Sequence, residues 1–217
     1  MLIIDTGSVR AKNAKPRRVN TPEFEGGILC ADCDNRILGA NESYAAYVLY
    51  GKGSNAKKPK IQRQLHPDGK LFSLYIENID YTMFKLFLLG LIWRASISTR
   101  PFFQRVNLGP YEEVIRGMLL GGDAGNREDF PCVITYFSDK DSIPARIAMQ
   151  PYKVNKKGIR YVIHLGQLIF MYFISPRSTD PDFLESTISL DGCLRIFENV
   201  GDLPRIITKN ELGIDLP

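Results

Sequence analysis

The sequence predicts an α+β fold, with a central apolar helix packed on an antiparallel β meander and a small amino-terminal knuckle-plus-helix appendage. Three observations predict it. The stretch from Tyr81 to Ala95 is apolar nearly all round, carrying Met83, Phe84, Leu86, Phe87, Leu88, Leu89, Leu91, Ile92 and Trp93, and a helix without a polar face belongs inside a core. Four later segments, Pro131 to Phe137, Ala145 to Val154, Ile159 to Leu165 and Leu168 to Ser175, are rich in β-branched and aromatic residues and are separated by turn signals such as Asn155 to Gly158 and Gly166. Ahead of both, "CADC" at Cys30 to Cys33 runs straight into a helix-like pattern that ends near Gly51.

Taken in order, the chain opens with a basic tract, "VRAKNAKPRR" from Val9 to Arg18, followed by the Cys-x-x-Cys segment and its helix. A second basic tract, "KGSNAKKPKIQR" from Lys52 to Arg63, is rich in small and polar residues, and both tracts read as loops or arms. "KLFSLYI" from Lys70 has the alternation of a strand. Asn78 or Asp80 then caps the central helix, because a short oxygen-bearing side chain accepts the free N–H groups of a first turn. Pro110 suits the first position of a second helix whose early Glu112 and Glu113 oppose the positive end of its dipole, with Val114, Ile115, Met118 and Leu119 as its apolar side. After the four strand segments, a short helix near Pro181 to Ser186 and a strand near Cys193 to Phe197 complete the fold. The division expected is a basic arm and knuckle region over 1–65 and a main domain over 66–217.

Composition bounds the function. A hydrophobic content of 44% supports a substantial core. The longest apolar run, "FLLGLIWRA" from Phe87, is far shorter than the roughly 20 residues a bilayer needs. After Met1 the basic residues follow the apolar stretch rather than precede it, so no membrane association and a cytoplasmic location are expected. Four cysteines, one close pair and the separate Cys132 and Cys193, do not make a disulfide framework. The net charge of +4 is uneven, with 12 Lys/Arg against 7 Asp/Glu in residues 1–70 and 16 against 17 in the remainder. Arg17, Arg18, Lys57, Lys58 and Lys60 in the two tracts are therefore candidate nucleic-acid contacts, since each cation that neutralises a phosphate releases a counterion.

Cys30 and Cys33 are candidate zinc ligands. A structural zinc takes four donors, and this pair supplies two; Asp32, Asp34, Glu42, His66, His164, Cys132 and Cys193 are the remaining candidates, none at a standard spacing. His66 in "LHPDG" reads as a turn residue and His164 as a satisfied histidine at a strand end. Phosphate-binding glycine loops and a Gly-x-Ser-x-Gly elbow are absent from the sequence. Arg94, on a buried helix, needs a carboxylate, which Glu112 or Glu113 on the next helix is expected to supply.

"ILCADCDNRILGANESYAAYVLYG" resembles the second knuckle of HNH-type treble-clef nucleases, and more closely a group of bacterial HNH-nuclease-like proteins. That group carries an amino-terminal Cys-x-x-Cys, a His-Ile-Ile-Pro segment and a Leu-Leu-Cys-x-x-Cys-Glu knuckle leading into Tyr-Glu-x-Tyr. Ile28 to Tyr47 corresponds to the last part, and Asn78 to Leu119 is similar to the group's middle region. The resemblance implies a zinc knuckle and nuclease ancestry, but no cysteine precedes Cys30 and no histidine precedes His66. The water-activating histidine such a nuclease uses has no counterpart here. The expectation is therefore a non-catalytic or degenerate HNH-like module that binds nucleic acid, DNA or RNA, or a protein partner, in a bacterial or phage setting such as defence. The alternative is a metal-dependent nuclease whose active site is completed by residues not placed, or by a partner subunit.

Overall fold

A computed structural model of the chain describes residues 2–4, 17–18, 25, 27–51, 58–65, 72–137, 147–154, 158–175 and 181–199. Lys57 and His66 lie outside them. Among the described residues, nine strands form one sheet. They are β1 (Leu2–Ile4), β2 (Arg17–Arg18), β3 (Lys60–Leu65), β4 (Phe72–Glu77), β5 (Cys132–Phe137), β6 (Ile147–Val154), β7 (Arg160–Leu165), β8 (Leu168–Phe173) and β9 (Leu194–Asn199). The order across the sheet is β2-β1-β6-β7-β8-β5-β9-β4-β3. Three longer helices, α1 (Gly39–Tyr50), α2 (Tyr81–Ile97) and α3 (Tyr111–Gly121), and a single turn, α4 (Pro181–Leu184), accompany it. The class is α+β.

The four segments expected to form a meander pair antiparallel, as β6-β7-β8 with β5 added beyond β8. The sheet as a whole is mixed, because β1 joins β6 and β9 joins β5 in parallel. Strands from 1–65 and from 66–217 share it: β1 pairs with β6 and β3 with β4. Two expected loops are in part strands. Arg17–Arg18 pairs with Leu2 and Ile3, and Lys60 to Leu65 pairs with β4 along six residues. β3, at the sheet edge, reads as a loop in sequence because one side of its ladder and much of its surface face water, where Lys is favoured over apolar residues.

Asp80 caps α2, its side chain accepting from the Met83 N–H at 2.9 Å, while Asn78 sits at φ 65° in the turn before it. The helix buries Phe84, Leu86, Leu88, Leu89, Ile92, Trp93 and Ala95 in one cluster with Ile134, Tyr161, Ile163, Phe170, Tyr172 and Ile196 of the sheet. Gly90 lets its neighbours close in: a Cβ there would lie 3.3 Å from Leu38 Cδ2 and 3.8 Å from Leu119 Cδ2. On α3, Ile115 and Leu119 are buried and Val114 is exposed, so its apolar side is narrower than the sequence suggests. Gly192, at φ +79°, is required where it stands, since a Cβ would fall 2.1 Å from the Ile79 carbonyl oxygen. That contact lies where Ile79 N–H donates to the Gly192 carbonyl at 3.0 Å, tying the start of α2 to the approach to β9.

Candidate functional site

The knuckle segment lies against the carboxyl-terminal half of α2. Before α1, Asp32–Leu38 is wound as a π-helix, in which the Gly39 N–H reaches back to the Asp34 carbonyl. Such widened turns are rare and concentrate at functional positions. Cys30 and Cys33 stand at the mouth of this helix, Cys30 exposed and Cys33 half-buried. The Cys33 N–H donates to Cys30 Sγ at 3.3 Å. That bond, followed by one from the Cys33 thiol, holds the Cys30 thiol below its ordinary pKa range, whereas the bond with Cys30 pushes Cys33 up.

Ion pairs fasten this segment. Arg94 of α2 meets Asp34 at 3.4 Å and also pairs with Glu42 of α1. The expected partners are otherwise engaged: Glu112 accepts from Ser96 Oγ at 2.5 Å and Glu113 pairs with Arg116 at 2.9 Å. Arg94 points from α2 toward the knuckle, and helix order alone does not reveal which neighbour it faces. Asp32 takes a two-pronged contact from Arg36, at 2.6 and 2.8 Å. Upstream, Glu25 accepts from Ser98 Oγ at 2.5 Å, Thr99 N–H at 2.8 Å and Thr99 Oγ1 at 2.6 Å. These hydrogen bonds, Ser98 first, hold its carboxyl below the usual range.

Between the knuckle, α2, the Pro101–Phe103 turn and β7 is a cleft of about 460 Å³. Ile28, Leu29, Leu91, Phe103, Ile163 and Leu165 give it apolar walls, and Glu25, Asp34 and Arg94 supply its charge. An apolar cleft with a few convergent polar groups is the usual form of a small-ligand site. A structural zinc fits these residues poorly. Cys30 and Cys33 give two donors, the neighbouring carboxylates are held by arginines, and no group of three or more His, Cys, Asp or Glu able to hold a metal occurs among the described residues.

The basic candidates are not brought together. β2, with Arg17 and Arg18, and β3, with Lys60, are the two ends of the sheet order. Eight inter-strand steps at about 4.8 Å put roughly 38 Å between them along the sheet. Lys58 is exposed just before β3, and Lys60 meets Glu77 at 3.3 Å. The register at this end aligns Gln62, Tyr75 and Arg195 across β3, β4 and β9, and Gln64, Ser73 and Phe197 in the next row of the same face. Arg195 lies over both rings, 5.6 Å from the centroid of Tyr75 and 4.8 Å from that of Phe197, and its Nε–H donates to Ser73 Oγ at 3.2 Å. No carboxylate among the described residues pairs with it. Sequence reasoning missed this group because Ser73 and Arg195 are 122 residues apart; the signal available was the aromatic-and-arginine alternation of "LRIFEN".

Other titratable groups belong to the core. His164, buried in β7, donates its Nε2–H to the Gly166 carbonyl at 3.0 Å, and burial pulls its pKa to about 4, so it is neutral at pH 7. Burial pushes both the Cys132 and Cys193 thiols up, which fits inert side chains. Sequence reasoning also missed Lys85: it is buried on α2, its Nζ donates to the Phe130 carbonyl at 3.4 Å, and desolvation lowers its pKa to about 8.

Among the described residues no helix is long and apolar enough to cross a membrane. No family model, no curated protein and no solved structure matches the chain.

Proposed function

We propose that the protein is a non-catalytic binding module that grips single-stranded nucleic acid on the β3–β4–β9 end of its sheet. The observation that carries this reading is Arg195, held over Tyr75 and Phe197 and unpaired with any described carboxylate. The rings hold the guanidinium in place while leaving N–H donors for a phosphate, and a base can stack on a ring beside it. Lys58, Lys60, Gln62 and Gln64 add charge and amide groups on the adjoining strand. Descent from an HNH-like knuckle protein, with a role in bacterial or phage defence, rests on the sequence resemblance alone.

A second reading, a protein partner, is favoured by Tyr50, Ile61 and Leu65, which are large, apolar and exposed at the same end. Tyr50 and Ile61 also line a cavity of about 370 Å³ with Leu74, Tyr136 and Ile196.

Fluorescence anisotropy with labelled single-stranded DNA and RNA separates these readings. Binding should weaken at least tenfold in Arg195→Ala combined with Lys60→Ala, and log K should fall less steeply with log salt by about 0.7 for each phosphate that is no longer neutralised. Arg17→Ala with Arg18→Ala should change it little. Absence of binding at low salt overturns the proposal in favour of a protein partner. Strand cleavage in the same samples with Mg²⁺ or Mn²⁺ would favour the metal-dependent nuclease instead.

A further inference from the structure

We propose that Cys30 and Cys33 form a thiol–disulfide exchange site, in which Cys30 attacks a disulfide and Cys33 resolves the product. The inference is independent of the nucleic-acid reading, and four observations carry it.

The first is placement. The Asp34 N–H donates to the Cys30 carbonyl at 3.0 Å, so the two cysteines occupy the opening turn of the helical segment. Residues three apart on such a turn share a face, within the Cα separation a disulfide requires. The second is contact: Cys33 N–H already donates to Cys30 Sγ at 3.3 Å, a bond that stabilises negative charge on that sulfur. The third is asymmetry. Cys30 is exposed and can be reached by a substrate, whereas Cys33 is half-buried behind it, the arrangement an attacking and a resolving thiol need. The fourth is the surroundings. The nearby carboxylates are occupied by Arg36 and Arg94, and Ile28 and Leu29, immediately before Cys30, form a wall of the 460 Å³ cleft in which the organic part of a substrate can lie.

The chemistry balances without a further reactant. The Cys30 thiolate attacks one sulfur of R–S–S–R′; that bond breaks, a Cys30–S–S–R bond forms, and R′S⁻ leaves to take up a proton. The Cys33 thiolate then attacks Cys30 Sγ and releases RS⁻, which is protonated in turn. The dithiol loses two protons and two electrons, and the substrate disulfide gains both.

Glutathione redox buffers test this on the full chain. The reduced protein is equilibrated over a range of reduced-to-oxidised ratios, alkylated, and read by peptide mass. The expected result is a Cys30–Cys33 disulfide about two mass units lighter than the dithiol, titrating reversibly within the range. Cys33→Ser should hold a one-to-one glutathione adduct at Cys30, and Cys30→Ser should form its adduct at least tenfold more slowly. The wild-type titration needs no variant, so the test survives if either substitution fails to fold. A dithiol that stays reduced in fully oxidised glutathione overturns the proposal, as do equal adduct rates at the two positions. One zinc per purified chain that shields both thiols from alkylation until chelation also overturns it.

Discussion

The knuckle cleft and the β3–β4–β9 sheet end each hold a half-buried arginine, yet the two are held by opposite means. Arg94 is neutralised by Asp34 and Glu42 and serves to pin α1 and the knuckle to α2. Arg195 is held by two aromatic rings and a serine hydroxyl, which position a guanidinium without cancelling its charge. A cation consumed by carboxylates contributes architecture; one held by π-faces keeps its field for a ligand. At the knuckle end, the groups left over for chemistry are therefore the thiols rather than the cation. Lys85 is a third case, a buried ammonium that donates to the Phe130 carbonyl at 3.4 Å.

The largest effect is expected from removing the floor under both regions. Phe84 is fully buried in the cluster that joins α2 to the sheet, so Phe84→Ala should cost about 3 to 5 kcal/mol. Urea unfolding measures the change. Alkylation of the half-buried Cys33 and far-UV circular dichroism should then report the same midpoint, and separate midpoints would show that the Cys30–Cys33 segment does not share the core of the sheet.

Lys85→Met comes next. Because burial lowers the folded pKa to about 8 from an ordinary 10.5, the unfolded chain binds the proton more tightly and the wild type is penalised below pH 8. Its stability should rise between pH 8 and 10.5. Allowing for the missing hydrogen bond, Lys85→Met should be more stable by about 2 kcal/mol at pH 7, with the gain vanishing by pH 10.5. Thermal melts across that window check it; a gain that does not depend on pH would place the effect in packing.

Arg94→Ala should cost only about 1 kcal/mol, because its ion pairs are partly open to water. A double-mutant cycle with Glu42→Gln measures the coupling, and the half-buried Cys33 should alkylate faster as the segment loosens. The smallest change is the sharpest. Arg195→Lys keeps the charge but gives up the multiple N–H donors of the guanidinium, so nucleic-acid affinity should fall about fivefold with the salt slope unchanged. A matching decrease in slope would mean that charge alone is read there.

Much of the fold was legible in the residues. The all-apolar run of α2, its Asp80 cap, the Pro110 boundary and the β-branched segments of β5 to β8 each state a local preference that the tertiary structure keeps. The class follows, because burying one such helix and four such strands leaves few arrangements. The same rule applied to Arg94 also points to Lys85, a charge on a helix with no polar face, although the sequence does not say that a carbonyl receives it.

What the tertiary structure alone decided is adjacency. Nothing in the chain order reveals that β9 runs beside both β5 and β4, which is what sets Arg195 against Tyr75 and Phe197. Nor does it reveal that the two basic tracts become opposite ends of one sheet, or that Arg94 turns to Asp34 and Glu42 instead of Glu112 and Glu113. Periodicity and capping are short-range and written in neighbouring residues. Strand order and ion-pair choice depend on how whole elements pack, where alternatives differ by a few interactions that no local pattern records.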